Sequence, residues 1–92
     1  MVAKNTTMFS TYILWSNLLK KFYAGSTQDL DQRLLRHNTG KVNFTSKGIP
    51  WQLIWSKTGA DRKEVYNLEM KIKGRGIRRF LDDNGIEVNI FQ

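Results

Sequence analysis

The stretch from Phe22 to His37 constrains the chain more than any other, because it passes from a strand pattern to a helix pattern within a few residues. Phe22-Tyr23-Ala24 suits the end of a strand and Gly25-Ser26 a tight turn. Asp29, with Gln32 three residues later, has the spacing of a capping box that starts a helix. At about 100° per residue, Arg33 and His37 fall one turn apart and border the apolar stripe of Leu30 and Leu34. A guanidinium and an imidazole are thereby expected at the rim of the core, near Tyr23.

Residues 11–15 are β-branched and aromatic, and residues 21–24 form a second such run after a short gap, so a β-hairpin is expected. Ser16-Asn17 signals its turn, although Leu18 and Leu19 could extend either strand. The first helix should run from Asp29 to Asn38 or Thr39 and stop at Gly40, with Arg36 and His37 suiting its dipole. Residues 41–50 show no helical period and read as a surface loop. Residues 51–57 read as a third strand, central because Leu53-Ile54 is apolar on both faces. Asp61 with Glu64 is a second capping box, and Val65, Leu68 and Ile72 keep a helical period over residues 62–73. Gly74-Arg75-Gly76 breaks that helix, a short third helix is expected over residues 77–83, and the alternation in residues 86–91 suggests an added edge strand. The class is α+β in the order β-β-α-β-α-α with a C-terminal strand, in one domain over residues 1–92 with its core at about residues 9–83.

Ninety-two residues with 40% hydrophobic content suffice for one core. The chain has no cysteine, which removes disulfides, thiolate zinc sites and cysteine nucleophiles from consideration. No apolar run approaches the roughly 20 residues of a membrane span, and residues 1–7 lack the apolar centre of a signal peptide. A soluble cytoplasmic protein with no membrane association is expected. Fifteen Lys and Arg against eight Asp and Glu leave a formal charge of +7, which suits a polyanionic partner or simply a well-solvated surface.

Glu69 stands out among the charged residues. With Val65 at zero, Leu68, Ile72 and Glu69 fall at about 300°, 340° and 40° on the helical wheel, so the carboxylate lies within the apolar arc. A charge placed there needs a salt bridge, a rim position reaching water, or a metal. One carboxylate can hold magnesium when water and substrate phosphate complete the shell. Tyr12, Tyr23, Arg33, His37 and Glu69 together supply the groups that phosphodiester cleavage needs: a base or water-positioning group, a cation for the developing charge, and a metal ligand. Each also has a plain structural reading, as strand aromatic, solvated face or salt bridge. Trp15, Trp51 and Trp55 read as core or sheet-face residues, or as stacking groups if exposed. Lys71, Lys73, Arg75, Arg78 and Arg79 form the densest basic cluster, and with Lys41 and Lys47 they are the candidates for contacting nucleic-acid phosphates.

Taken in order, these residues resemble the GIY-YIG nuclease family, in particular small members similar to the catalytic domain of the excision-repair nuclease. Ser10-Thr11-Tyr12 stands for the first motif and Tyr23-Ala24-Gly25 for the second. The run from Asp29 to Asn38, Gly40-Lys41, Pro50-Trp51 and Glu69 follow at matching spacings. The first motif departs from the family at Ser10 and Thr11, the second at Ala24, and Ser26 replaces the lysine of the repair nucleases. The resemblance implies a three-stranded antiparallel sheet flanked by helices, and a metal-dependent DNA endonuclease using Mg2+ or Mn2+. It implies Tyr12 as general base or water-positioning group, Tyr23 as its partner, Arg33 at the phosphate, His37 in an auxiliary role and Glu69 as the protein's metal ligand. Asn84 offers a match for an asparagine that many members carry beyond the metal helix. DNA repair or recombination, with a protein partner or as a homodimer, is the implied setting. A non-catalytic nucleic-acid-binding module of the same fold is the alternative.

Overall fold

The computed structural model describes residues 8–87. The most apolar run becomes the middle strand: β1 (Phe9–Ser16) lies between β2 (Lys21–Thr27) and β3 (Trp51–Gly59), antiparallel to both, in the order β2-β1-β3. Every residue of β1 from Ser10 to Ser16 is buried, as expected for a strand paired on both edges and covered on both faces. Helix α1 (Leu30–Asn38) starts at Asp29, whose carboxylate accepts from Gln32 N at 3.1 Å. Helix α2 (Arg62–Arg75) starts the same way at Asp61, which accepts from Glu64 N at 2.9 Å. Both N-caps thus form as the spacing predicts, but the return bond of a full capping box does not: Asp29 N donates to Thr27 Oγ1, and Glu64 Oε1 accepts from Ala60 N. Gly40, at φ 80°, takes the left-handed conformation just past α1, and α3 (Ile77–Asp83) follows the break at Gly76.

The period-two alternation of β1 divides the core. Ile13 faces Ala24, Ile72 and Leu81 beneath α2 and α3, while Tyr12 and Leu14 face Trp51 with Leu30 and Leu34 of α1 packed alongside. The two helical layers therefore flank the sheet, and β2 is the edge around which they can meet.

Four expectations are corrected. The third strand is an edge rather than the centre. Ile13 pairs with Trp55 and Leu14 with Leu53, so Ile54 is the extra residue of a bulge, and Leu53 is 39% exposed. Two adjacent apolar residues here mark a bulge, not burial on two faces. Gly25-Ser26 is not a turn, since these residues pair with Tyr12 and Thr11 inside β2, which ends at Thr27. Residues 41–50 contain a 3-10 helix, Asn43–Gly48, with Thr45 and Gly48 buried. Gly74 and Arg75 continue α2 instead of breaking it. Asn17 to Lys20 form the hairpin turn. Of the expected C-terminal strand, Ile86 and Glu87 are not in a strand and residues 88–91 lie outside the described residues.

Candidate active site

Tyr12, in the middle of the central strand, has no exposed surface. Its hydroxyl lies 3.0 Å from Nε2 of His37, which α1 carries into the same layer, fully buried. The other ring nitrogen, Nδ1, lies 2.8 Å from Thr45 Oγ1, and that hydroxyl donates to Val42 O at 3.4 Å. A threonine that donates to a carbonyl is free to accept from His37. This assigns the proton to Nδ1 and leaves Nε2 as the acceptor for the Tyr12 phenol. The chain of donors runs one way: Tyr12 to His37 to Thr45 to Val42.

Electrostatics agree with that direction. Burial, together with the positive charges of Arg33 and Arg36, pushes His37 down to about 4, so the imidazole is neutral at physiological pH. It therefore does not serve the α1 dipole as a cation. Burial pushes Tyr12 up to about 12, with Tyr23 adding to the effect; the Arg33 guanidinium opposes it and Glu69 adds a smaller rise. Arg33, Tyr23 and Glu69 are thus all near enough to act on the Tyr12 phenol. Tyr23 closes the aromatic cluster, its ring 6.4 Å from that of Tyr12 and edge-on to His37 at 5.1 Å.

Gly25, directly across the ladder from Tyr12, makes this packing possible. A Cβ on Gly25 would come within 2.5 Å of the Tyr12 hydroxyl oxygen and 2.7 Å of Cζ. The glycine is needed for close approach rather than for a turn.

Glu69 reaches the β2 edge from α2 and is 8% exposed. Its Oε1 accepts from Ser26 Oγ at 2.7 Å and its Oε2 pairs with Lys73 Nζ at 2.6 Å. Lys73 also lies over the Tyr23 ring, 6.0 Å from its centroid, so it links the α2 layer to the tyrosine layer around the edge of the sheet. As a metal site, the donor set fits a hard divalent cation held by one carboxylate with water and phosphate, provided that Lys73, 44% exposed at its side chain, turns aside. It does not fit a site closed by protein alone, because the described residues include no group of three or more His, Cys, Asp or Glu.

Of the five sequence-predicted residues, Tyr12, Tyr23 and His37 thus pack together on the α1 side of the sheet with Arg33 near enough to act on Tyr12, while Glu69 comes to the β2 edge from the α2 side and is linked to them through Lys73. Of the basic candidates only Lys73 joins them. Arg75 makes two hydrogen bonds to Asp83, at 2.7 and 3.0 Å. Arg78 stacks over Phe22 at 5.3 Å, and Lys41, Lys47, Lys71 and Arg79 are exposed. Asn84 donates to Phe80 O at 2.8 Å, at the end of α3. Thr45 was not singled out by sequence, while Gly25 entered only as a motif and turn residue and Ser26 only as the replacement for a lysine; neither was given its contact with Tyr12 or Glu69. Asn38 holds α1 to β3 by donating to Trp51 O at 3.1 Å and accepting from Trp51 N at 2.6 Å.

Residues 8–78 match the sequence profile of the GIY-YIG catalytic domain. A UPF0213 protein of Lacticaseibacillus paracasei is 31% identical over 70 residues, covering 72% of this chain and 79% of the relative. A UPF0213 protein in the ldhD 5' region of Pediococcus acidilactici is 29% identical over 97 residues, covering 99% and 98%. The solution NMR structure of a UPF0213 protein from Bacillus halodurans has the same fold, with a TM-score of 0.54 at 23% identity, covering 89% of this chain and 87% of that one. No helix among the described residues is long and apolar enough to cross a membrane.

Proposed function

The chain belongs to the GIY-YIG family, a family of nucleases, and from that premise we propose that it is a metal-dependent endonuclease that hydrolyses phosphodiester bonds in DNA. The observation that carries this reading is the convergence of Tyr12, Tyr23, Arg33, His37 and Glu69 around β2, with the Tyr12 hydroxyl 3.0 Å from His37 Nε2. Packing alone does not require a phenol, an imidazole, a guanidinium and a carboxylate from different elements to converge there.

The geometry supports the following roles. No carboxylate among the described residues lies within salt-bridge distance of Arg33, and its side chain is partly exposed. It is therefore available to a phosphate. Tyr12 is neutral at physiological pH and donates its proton in a hydrogen bond to His37 Nε2, so its oxygen is turned to accept a hydrogen bond from the attacking water and position it. Tyr23, more exposed than Tyr12, orients that water or contacts the phosphate. Arg33 offsets the charge that grows on the phosphoryl oxygens. Mg2+ or Mn2+ on Glu69 would supply further positive charge at the leaving or bridging oxygen.

A second reading, a nucleic-acid-binding module without catalysis, is favoured by one observation: both oxygens of Glu69 already have donors. Cleavage of labelled linear, nicked and branched DNA with Mg2+ or Mn2+ separates the two. Under the nuclease reading the wild type cuts and Arg33→Ala and Glu69→Ala do not. Under the other, no protein cuts and all three bind DNA with the same salt dependence. A cytoplasmic role in DNA repair or recombination, by a single domain acting alone, with a protein partner or as a homodimer, is the setting that we propose for this activity.

A further inference from the structure

Phe44 is 82% exposed, more than any other large hydrophobic side chain among the described residues. Single exposed apolar residues are ordinary, but the mounting of this one is not. Its ring centroid lies 5.9 Å from that of Tyr23, beside the candidate site. Its backbone belongs to the 3-10 helix Asn43–Gly48, which is pinned to the rest of the fold at several points. Thr45 bonds His37 at 2.8 Å, Trp51 Nε1 donates to Thr45 O at 2.8 Å, and Ser16 Oγ donates to Gly48 O at 2.7 Å. The buried side of the helix is fixed to the site while its outer side presents a bare aromatic face. Side chains three apart eclipse in a 3-10 helix, so Lys47, also exposed, shares that side with Phe44. An ammonium next to a free aromatic ring suits a phosphate next to an unstacked base.

We propose that Phe44 is a platform on which an unpaired nucleobase stacks, and that the DNA accepted here has a single-stranded or gapped segment beside the phosphate at the site. The proposal rests on the reading of the site as DNA-binding, and names the class of DNA. In an intact duplex both faces of each base are already stacked, so the ring has nothing to cover. Where a base is unpaired, its free face meets Phe44 while Lys47 reaches the adjoining phosphate.

The test is binding of the full chain to fluorescently labelled single-stranded, gapped and fully duplex oligonucleotides, followed by anisotropy in chelator so that no strand is cut. Because the side chain is exposed, Phe44→Ala leaves the fold intact. It should weaken binding to the single-stranded and gapped DNA by about tenfold and to the duplex by less than about twofold, and Phe44→Trp should restore the preference. An equal loss on all three substrates, or no loss on any, would overturn the proposal. The readout is independent of cleavage, so an inactive wild type would remove the nuclease reading without deciding this one.

Discussion

The hydroxyl of Tyr12 and Nε2 of His37 lie 3.0 Å apart, both in side chains without exposed surface. This contact joins the central strand to α1, and through Thr45 it joins both to the 3-10 helix. Buried polar chains of this kind are costly when broken, since each orphaned group keeps its desolvation penalty. The same bond therefore bears on stability and on the proposed chemistry, and the two effects can be separated by choice of substitution.

Tyr12→Phe keeps the ring and removes only the hydroxyl. It should lower the DNA cleavage rate by about 100-fold or more, while costing about 1–2 kcal/mol of stability because His37 Nε2 loses its donor. Single-turnover cleavage and denaturant unfolding of the same sample measure the two effects.

Gly25→Ala tests whether the phenol needs the space that the glycine leaves. A Cβ 2.5 Å from the Tyr12 hydroxyl oxygen cannot be accommodated without moving the ring away from His37. The expected cost is about 1–3 kcal/mol in denaturant unfolding, with loss of cleavage comparable to Tyr12→Phe. A variant as active and as stable as wild type would show that the ring has room to move.

His37 makes stability depend on pH, and above about pH 5 no other side chain ordinarily shares its window, because it is the chain's one histidine. The unfolded chain takes up a proton at 6.5 and the folded one only at about 4. The unfolded state therefore binds more protons in between, so stability is full above pH 6.5 and declines as pH falls toward 4. The whole decline amounts to roughly 3 kcal/mol. Unfolding measured between pH 7 and 5 should show this slope, and His37→Gln should flatten it.

Much of this site was legible in the sequence, and the limits are physical. The hairpin, both aspartate N-caps and the inward placement of Glu69 depend on residues close in the chain, so spacing alone reveals them. Strand order depends on pairing between residues 9–16 and 51–59, and a bulge at Ile54 produced the same apolar doublet that a doubly buried strand would. Thr45 is eight residues beyond His37 in a run with no helical period, and only the tertiary fold turns its hydroxyl toward the imidazole. Lys73 was read only as a phosphate contact, although its i,i+4 spacing from Glu69 also suits the ion pair that forms, 2.6 Å from Oε2.

Lys73→Met removes the ammonium that competes for Glu69 Oε2. The side chain is 44% exposed, so the ion pair is worth less than ~1 kcal/mol to folding. Mn2+ binding followed by electron paramagnetic resonance should tighten by about fivefold, the equivalent of ~1 kcal/mol. Weaker Mn2+ binding would mean instead that Lys73 supports the metal-bound arrangement.

Whether the residues at the β2 edge cut DNA is tested most directly by Mg2+-dependent cleavage of labelled branched and gapped DNA by wild type, Arg33→Ala and Glu69→Ala. All three should give folded proteins by circular dichroism. The expected result is cutting by the wild type that is abolished by chelator and by either substitution. Cutting that survives both substitutions would place the chemistry elsewhere, and a wild type that binds DNA but never cuts it would contradict the nuclease assignment.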